Sequence, residues 1–490
     1  MALRETDVES GRLRGIACGN PIDTVFKGIP YARPPVGELR WKAPQPVEPW
    51  NGVREADHFS SIAPQVRAPK GSLYQKEFFQ YSEPMSEDCL YLNIWTPAES
   101  ADEKLPVLFW IHGGGFTGGY GSEPEFDGEG FCRRGVILVT VNYRLGVLGF
   151  LAHPELTGEN GHHSSGNYGH LDQIAALKWV RRNIHAFGGD PDNITLCGQS
   201  AGAMSVQVLL CSPLSKGDFA RAILQSGGGI WPAAQQFCRE QSDAEQTGVS
   251  FMERIGCDSI KELRAMPWEK IVNAQTVDLE FTSAVDHYVL PENTAALLLK
   301  GKYADVPYLI GNCSEELSLP LKPECGQFDE KAREAYGIHA EQYLAMMSNE
   351  DDRNRAAGMA DSMFVANRVF AELLEAQGRA PAYLYFFDRQ LPGGDGLGAF
   401  HSAELWYEFQ TLSRCWRPFV GADYDLSNTI ADYWSNFIKS GNPNGRGLSQ
   451  WISFTKAAPA SMELGLETGM KIIPENRIQA FQKDFILGKL

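Results

Sequence analysis

One serine of this chain, Ser200, lies at a predicted junction between a short apolar strand and a helix. It is the centre of a Gly-x-Ser-x-Gly pattern over residues 198–202, which the apolar stretch 203–210 follows. Small residues beside Ser200 allow a tight turn that exposes its hydroxyl, and the next helix directs free N–H groups and a positive dipole end at an oxyanion. The pattern alone is weak evidence, but its strand-turn-helix context predicts a nucleophile.

A serine hydroxyl is a poor nucleophile at neutral pH, so this chemistry also requires oxyanion donors, a general base and an orienting acid. The donors are predicted in residues 112–116, His-Gly-Gly-Gly-Phe, which directly follow an apolar strand predicted over 107–111. Consecutive glycines let backbone N–H groups approach a tetrahedral intermediate, whereas the alternative is a flexible loop after a strand. The presence of Ser200 further along the chain favours the oxyanion loop.

The general base is expected to be a histidine well after the nucleophile, because hydrolases with this turn have the chain order serine, acid, histidine. His287 leaves too little chain before it for another strand that carries the acid. His339 is predicted on the surface of an amphipathic helix over 335–347. His401 follows an apolar run at 382–387 and a Gly-rich loop, and is therefore predicted to be the base.

The acid is expected between the nucleophile and the base, just past a strand of the same sheet. There it can hold the imidazole in the correct tautomer and stabilise the imidazolium. Residues 305–311 are predicted to form such a strand, and Glu315 and Glu316 follow it. Spacing alone does not separate these two glutamates, so one is predicted as the acid and the other as a solvated loop charge.

Ordered blocks of sequence extend this pattern over nearly the whole chain. They lie at residues 26–32, 87–93, 112–116, 142–146, 187–191, 198–202 and 433–437. By these blocks the chain resembles the type-B carboxylesterases, the cholinesterase-like branch of the α/β-hydrolases, and most of all bacterial p-nitrobenzyl esterases. The resemblance implies one domain over residues 1–490 with an α/β-hydrolase fold, a large, mostly parallel twisted sheet flanked by helices. It also implies substrate-covering excursions at about 66–86 and 230–300.

The resemblance selects one of the two candidate acids. In the family the acid is the sixth residue of a block that begins with glycine, and counting from Gly311 this residue is Glu316 rather than Glu315. Leu317 follows, where the family usually has glycine. The loop of the acid is therefore expected to differ in backbone conformation from that of its relatives.

The resemblance implies roles for further residues as well. The oxyanion donors are the N–H groups of Gly114, Gly115 and Ala201. Ser226 supports the triad without being one of its members. The positions that form internal ion pairs in relatives are Arg40, Glu87, Arg144 and Asp172.

The substrate pocket is expected to include Phe116, Gln199, Leu317 and Trp406. Gln199 stands where cholinesterases carry a glutamate, and residues 66–86 contain no tryptophan that could stack on a quaternary ammonium. A choline ester is therefore disfavoured.

Aromatic residues leave two interpretations of the pocket open. Phe78, Phe79, Tyr81 and Trp406 either line a site for bulky acyl groups, as in a lipase, or pack in the core and at its rim. Composition is compatible with both, because aromatic side chains are common in cores as well as in ligand sites.

The composition is that of a protein with a large core and an acidic surface. Of 490 residues 43% are hydrophobic, and the formal net charge is −17 at pH 7. This charge opposes binding to nucleic acid and to anionic membranes. The N-terminus is charged and lacks the apolar segment of a signal peptide, and no stretch is long enough to span a membrane, so we expect a cytoplasmic protein.

The chain contains ten cysteines without the spacing of a zinc site, and most are expected to be free thiols. Cys89 matches one half of a disulfide of secreted relatives, but residues 60–65 contain no partner for it. His162 and His163 are expected on the surface. No metal and no cofactor is expected.

These observations predict a serine carboxylesterase that hydrolyses carboxylic esters to acid and alcohol through an acyl-enzyme on Ser200. A lipase for longer-chain esters is the alternative enzyme. A non-catalytic adhesion or scaffold homologue is the alternative from another class, but such proteins usually lack a triad residue. The expected partner is a small-molecule ester, without nucleic acid or membrane, and the protein is expected to be a monomer or a small homo-oligomer.

Overall fold

The computed structural model describes residues 2–231, 238–276, 279–317 and 325–489. The strands are β1 (Glu5–Val8), β2 (Gly11–Arg14), β3 (Ile16–Ala17), β4 (Thr24–Pro30), β5 (Val53–Glu55), β6 (Tyr91–Thr96), β7 (Leu105–Ile111), β8 (Ile137–Val141), β9 (Gly189–Gln199), β10 (Arg221–Gln225), β11 (Cys238–Glu240), β12 (Ser283–Val285), β13 (Tyr308–Cys313), β14 (Ala382–Phe387), β15 (Ser461–Leu464) and β16 (Gly469–Lys471). The helices are α1 (Leu73–Glu77), α2 (Glu129–Cys132), α3 (Gly146–Phe150), α4 (Pro154–Gly158), α5 (Tyr168–Asn183), α6 (Ala201–Cys211), α7 (Gln241–Ile255), α8 (Ile260–Ala265), α9 (Trp268–Asn273), α10 (Thr294–Leu299), α11 (Cys325–Tyr336), α12 (Ala340–Ala345), α13 (Glu350–Ala357), α14 (Ala360–Ala376), α15 (Leu405–Glu408), α16 (Gly421–Ser440) and α17 (Arg477–Ile486).

An 11-stranded sheet organises these elements, in the order β16-β15-β14-β13-β10-β9-β7-β8-β6-β4-β3. All neighbours from β15 to β8 pair in parallel. Antiparallel pairs occur only towards the two edges, where β16 joins β15 and where β6, β4 and β3 follow β8. Two small sheets, β1-β2-β5 and β11-β12, lie outside it.

Helices cover both faces of the central sheet, and alternate residues of its strands enter different cores. In β7, Phe109 packs in a cluster with residues of α5, α6 and α14, whereas Trp110 packs in a second cluster with residues of α2, α15 and α16. Both side chains are fully buried. A strand covered on both faces has no solvent side to fill with polar residues, which is why β7 is a continuous apolar run in the sequence.

Two predicted elements differ from the structure. The strand predicted over 305–311 is β13, which begins only after Pro307, a residue without an N–H group for the ladder, and which continues to Cys313. The helix predicted over 335–347 is interrupted, because Gly337 has a φ of +53° and the chain forms a 3-10 turn at Gly337–His339 between α11 and α12.

The four positions predicted to form internal ion pairs do so. Arg40 lies 2.5 Å from Glu87, and Arg144 lies 2.7 Å from Asp172, with all four side chains at most 10% exposed. Arg144 binds both oxygens of Asp172 and also donates to one of them through its own backbone N–H. This bidentate contact connects the segment after β8 to α5.

The described part of the chain holds no helix that is both long and apolar enough to cross a bilayer. Nine cysteines in that part are free thiols, and Cys89 is one of them. His162 and His163 are exposed, as predicted, and the ring of His162 stacks on Tyr288.

We predict that Arg144→Met destabilises the protein by about 3 to 5 kcal/mol, because it leaves the Asp172 carboxylate buried without its partner. Urea unfolding followed by tryptophan fluorescence measures this change. The double variant Arg144→Met/Asp172→Leu should recover much of the loss. Arg12→Met, which removes an ion pair to Asp7 between side chains 51% and 69% exposed, is the control and should change stability by less than about 1 kcal/mol. Equal effects of the two arginine substitutions would contradict the prediction.

Candidate active site

The predicted oxyanion loop, triad residues and Ser226 follow the carboxyl ends of neighbouring parallel strands. The loop from His112 follows β7, Ser200 follows β9, Ser226 follows β10, Glu316 lies just past β13 and His401 lies in the loop after β14. In open α/β sheets this edge is where ligands bind, because the loops that leave it converge there.

Ser200 lies at a strained turn between β9 and α6. Its φ of +56° and ψ of −126° lie outside the regions that non-glycine residues normally adopt. Its N–H group donates to the carbonyl of Gln225 in β10 at 2.8 Å, which holds the turn against the sheet. The Ser200 hydroxyl has no hydrogen-bond partner among the described residues, and the side chain is half-buried.

The turn at Ser200 requires residues without a Cβ around it. A Cβ on Gly202 would lie 2.1 Å from the carbonyl oxygen of Ile111, and one on Gly227 would lie 2.2 Å from that of Ser200. On Gly198 it would lie 2.4 Å from the backbone of Gly202. The glycines of the Gly-x-Ser-x-Gly pattern therefore have a steric role.

The structure brings Glu316, and not Glu315, to His401. The Nδ1 atom of His401 lies 2.5 Å from Oε2 of Glu316, whose side chain is fully buried. Glu315 instead lies half-buried, 4.0 Å from the guanidinium of Arg355. Spacing left these two residues open and the resemblance selected Glu316, which is the one that contacts His401.

Two further donors converge on the Glu316 carboxylate. The Ser226 hydroxyl donates to Oε1 at 2.7 Å, and the Cys313 N–H donates to the same oxygen at 2.6 Å. Hydrogen bonds of this kind restrict the rotation of the carboxyl group.

Backbone contacts connect the loop of Glu316 to that of His401. The His401 N–H donates to the Glu316 carbonyl at 3.0 Å, and the Glu315 N–H donates to the Ala399 carbonyl at 3.1 Å. These bonds extend the parallel pairing of β13 and β14 beyond the strands themselves. The carboxylate and the imidazole are therefore held in register by the backbone as well as by their own hydrogen bond.

The second ring nitrogen of His401 contacts Gln199. The amide nitrogen of Gln199 lies 3.2 Å from His401 Nε2, and the Gln199 side chain is buried. Sequence reasoning placed Gln199 in the substrate pocket and missed this contact. The available signal was its place at the end of β9, immediately before the candidate nucleophile.

The glycine loop after β7 is folded tightly on itself. Gly114 has a φ of +104° and Gly115 a φ of +63°, and a Cβ on Gly114 would lie 2.2 Å from the carbonyl oxygen of Gly118. The Gln65 side chain fixes the far end of the loop, because it accepts from the Gly119 N–H at 2.9 Å and donates to the Gly119 carbonyl at 3.0 Å.

Three backbone donors are available beside the Ser200 turn. Among the described residues, none accepts a hydrogen bond from the N–H groups of Gly114, Gly115 or Ala201. Ala201 is the first residue of α6, where N–H groups have no partner within the helix. These are the three N–H groups that the resemblance implied as oxyanion donors.

His112, at the start of the glycine loop, has a structural environment. It is buried, its ring stacks on Tyr143 with centroids 4.4 Å apart, and the Tyr143 hydroxyl donates to its carbonyl at 2.9 Å. Burial lowers the pKa of the His112 imidazole to about 4, so this ring is neutral at physiological pH. It anchors the loop to the segment after β8.

Two buried carboxyl groups that sequence reasoning missed lie at the two ends of α15, shortly after His401 in the chain. Glu404 accepts from the Cys313 thiol at 2.9 Å, and Glu408 accepts from the Gln225 amide at 2.8 Å. Burial raises the pKa of Glu404, and the nearby Glu316 charge adds to the effect; burial also raises the pKa of Glu408. Their spacing of four residues at a short apolar helix was the signal in the sequence.

The other residues expected in the substrate pocket have different surroundings. Phe116 is buried and packs on Phe150 with ring centroids 5.1 Å apart. Trp406 is fully buried and stacks on Phe78 at 5.7 Å with an interplanar angle of 15°. Leu317 is half-buried, and its N–H donates to the carbonyl of Gly358 at 3.1 Å.

Comparison with known proteins identifies the family. The model of the carboxylesterase family matches residues 3–482. The chain is 36% identical to the para-nitrobenzyl esterase of Bacillus subtilis over 476 residues, which cover 92% of this chain and 93% of that protein. It is 34% identical to the fumonisin B1 esterase of Sphingopyxis macrogoltabida over 501 residues, which cover 96% and 89%.

Solved structures support the same assignment. A p-nitrobenzyl esterase superimposes with a TM-score of 0.84 at 31% identity, covering 99% of this chain and 100% of its own. A carboxylesterase of Geobacillus stearothermophilus has a TM-score of 0.82 at 34% identity, with 97% and 99% covered. The α/β-hydrolase fold predicted from the sequence is thereby confirmed. The chain belongs to the carboxylesterase family, and it is a serine hydrolase that acts on carboxylic ester bonds.

Proposed function

We propose that Ser200, His401 and Glu316 form the catalytic triad of this esterase and that catalysis proceeds through an acyl-enzyme on Ser200. The observation that carries the proposal is the buried hydrogen bond of 2.5 Å between His401 Nδ1 and Glu316, at the same sheet edge as the strained turn of Ser200. A histidine that is oriented by a carboxylate and lies at the same sheet edge as a serine is the arrangement that activates a hydroxyl for acyl transfer.

In the first step, the Ser200 oxygen attacks the ester carbonyl while His401 Nε2 takes the hydroxyl proton. Nε2 is the nitrogen that acts as the base, because Nδ1 carries a proton and donates a hydrogen bond to Glu316. The Glu316 carboxylate then stabilises the imidazolium. Since Gln199 occupies Nε2 in the structure, the amide must give way to Ser200 when the proton moves.

The negative charge that develops on the carbonyl oxygen is bound by the N–H groups of Gly114, Gly115 and Ala201. They are fixed before the reaction by the folded glycine loop and by the start of α6, so little reorganisation is required. Removal of one such donor typically costs about 3 to 4 kcal/mol of transition-state stabilisation. His401 next protonates the departing alcohol, and water hydrolyses the acyl-enzyme by the same route.

The substrate class we propose is a small-molecule ester with a short acyl group. The aromatic residues that could have received a long acyl chain contact one another instead, since Phe78 and Trp406 are stacked and buried, which supports the packing interpretation. Segments 66–86 and 230–300 are proposed to cover the substrate; residues 232–237 and 277–278 of them lie outside the described residues. We further propose a cytoplasmic monomer or small homo-oligomer that binds neither nucleic acid nor membrane.

The triad assignment is tested with p-nitrophenyl butyrate as substrate. Ser200→Ala and His401→Ala should lower kcat/KM by about 10⁴-fold or more, and Glu316→Gln by about 10³-fold to 10⁴-fold, because each removes an element of one proton-transfer unit. Glu315→Gln is the matched control and should stay within a few-fold of the wild type. A loss for Glu315→Gln with an active Glu316→Gln would reverse the assignment of the acid.

The pH dependence provides a second test. His401 accepts a proton only when its imidazole is neutral, so kcat/KM should fall as the pH is lowered and Nε2 becomes protonated. The measurement is initial-rate hydrolysis of p-nitrophenyl acetate between pH 5 and 9, with thermal unfolding checked at each pH. A flat profile from pH 5 to 8 in folded protein is incompatible with His401 as the base.

The acyl-chain preference separates an esterase from a lipase. With p-nitrophenyl esters of increasing length, kcat/KM should be highest for acetate or butyrate and should fall by at least about tenfold at palmitate. No rise in rate is expected when the substrate passes its solubility limit. A sharp preference for palmitate, or activation at an interface, would instead support the lipase.

A further inference from the structure

Gln199 is the residue that faces the reactive nitrogen of the candidate base. It is the last residue of β9, it is 3% exposed, and its amide nitrogen lies 3.2 Å from His401 Nε2. An amide nitrogen can only donate, so the contact requires a lone pair on Nε2 and a proton on Nδ1. That is the tautomer in which His401 also donates to Glu316.

The Gln199 side chain is confined against the glycine loop. A Cβ on Gly113 would lie 3.0 Å from the Gln199 amide oxygen, 2.8 Å from its backbone carbonyl and 3.1 Å from Cβ of Ser200. Gly113 therefore leaves space for Gln199 to lie between the loop and the nucleophile. A confined amide loses little conformational entropy when it binds the imidazole.

We propose that Gln199 is a positioning residue for His401, which as a neutral donor keeps the imidazole neutral and protonated at Nδ1 until Ser200 takes its place at Nε2. The inference rests on the proposed function of His401. It goes further in assigning to Gln199 a role in the acid–base behaviour of the site rather than in contacts with the ester.

The electrostatic surroundings of His401 show why a neutral residue matters here. From the loop after β13, Glu316 binds Nδ1. Glu404, which precedes α15 as its N-cap, lies near enough to interact with the imidazole, and burial raises the pKa of its carboxyl group, which reduces its charge. Cys313 is bound to Glu404. From β9, only the uncharged Gln199 is in contact with the ring.

A carboxylate at this place would act in the opposite direction. It could accept a hydrogen bond only from protonated Nε2, and an opposite charge within hydrogen-bond distance stabilises the imidazolium. The amide donor, in contrast, stabilises neutral imidazole, because a protonated Nε2 has no lone pair to accept its hydrogen bond. The enzyme with Gln199 is therefore expected to keep its base available at lower pH than the carboxylate variant.

The first experiment compares the pH profiles of kcat/KM for the wild type, Gln199→Glu and Gln199→Met with p-nitrophenyl acetate. Gln199→Glu should move the midpoint of the acid limb to higher pH by about 1 unit or more. Gln199→Met, which removes the donor without adding charge, should move the midpoint in the same direction by a smaller amount. The exposed substitution Gln450→Glu changes net charge equally and should leave the profile unchanged.

The second experiment does not depend on turnover. In the Ser200→Ala background with ¹³Cε1-labelled histidine, the His401 signal is assigned by its loss in His401→Ala and titrated with and without each Gln199 substitution. Midpoints that rise for both substitutions support the inference even if no ester is hydrolysed. Coincident titrations in folded proteins would overturn it, and Gln199→Met decides the matter if Gln199→Glu does not fold. Lack of esterase activity in the wild type at every pH would count against the proposed function instead.

Discussion

The register of the parallel strands in the central sheet is the constraint on which the site depends. Gln199 of β9 lies opposite Gln225 of β10, and Gln225 lies opposite Gly311 of β13. Ser200 and Ser226 therefore leave the sheet at the same level, and the loop that carries Glu316 begins beside them. A shift of one residue in any pair would turn side chains to the opposite face and separate these groups.

This arrangement requires strained backbone conformations at several residues of the site. Ser200, Ser226, Glu316 and Ser402 all have positive φ values, although none is glycine. Such conformations cost of order 1 to 3 kcal/mol each and persist only where the surrounding structure determines them. Here buried hydrogen bonds fix these residues, such as the bond from Ser226 to Glu316 and the bond from the Ser200 N–H to β10. Close contacts at the neighbouring glycines, which leave no room for a Cβ, add to the constraint.

The electrostatics of the site concentrate negative charge on one side of the imidazole. Glu316 binds three donors, whereas burial raises the pKa of Glu404 and of Glu408. Gln199 presents an uncharged amide on the other side of the ring. Glu316 orients the imidazole from one side of the ring. Because Gln199 on the other side carries no charge, it does not add to the stabilisation of the imidazolium.

The amino-acid sequence by itself predicted three local features: the turn at Ser200, the glycine loop after β7 and the strand before His401. It also indicated the family. Each local feature depends on the backbone preferences of contiguous residues, which a sequence expresses directly. Spacing alone left Glu315 and Glu316 open and the family resemblance selected Glu316, but the contact of Glu316 with His401 and the contact of Gln199 with Nε2 are set by the tertiary structure. They join residues about 85 and 202 positions apart, and strand register and the direction of each side chain, which packing sets, determine which groups meet.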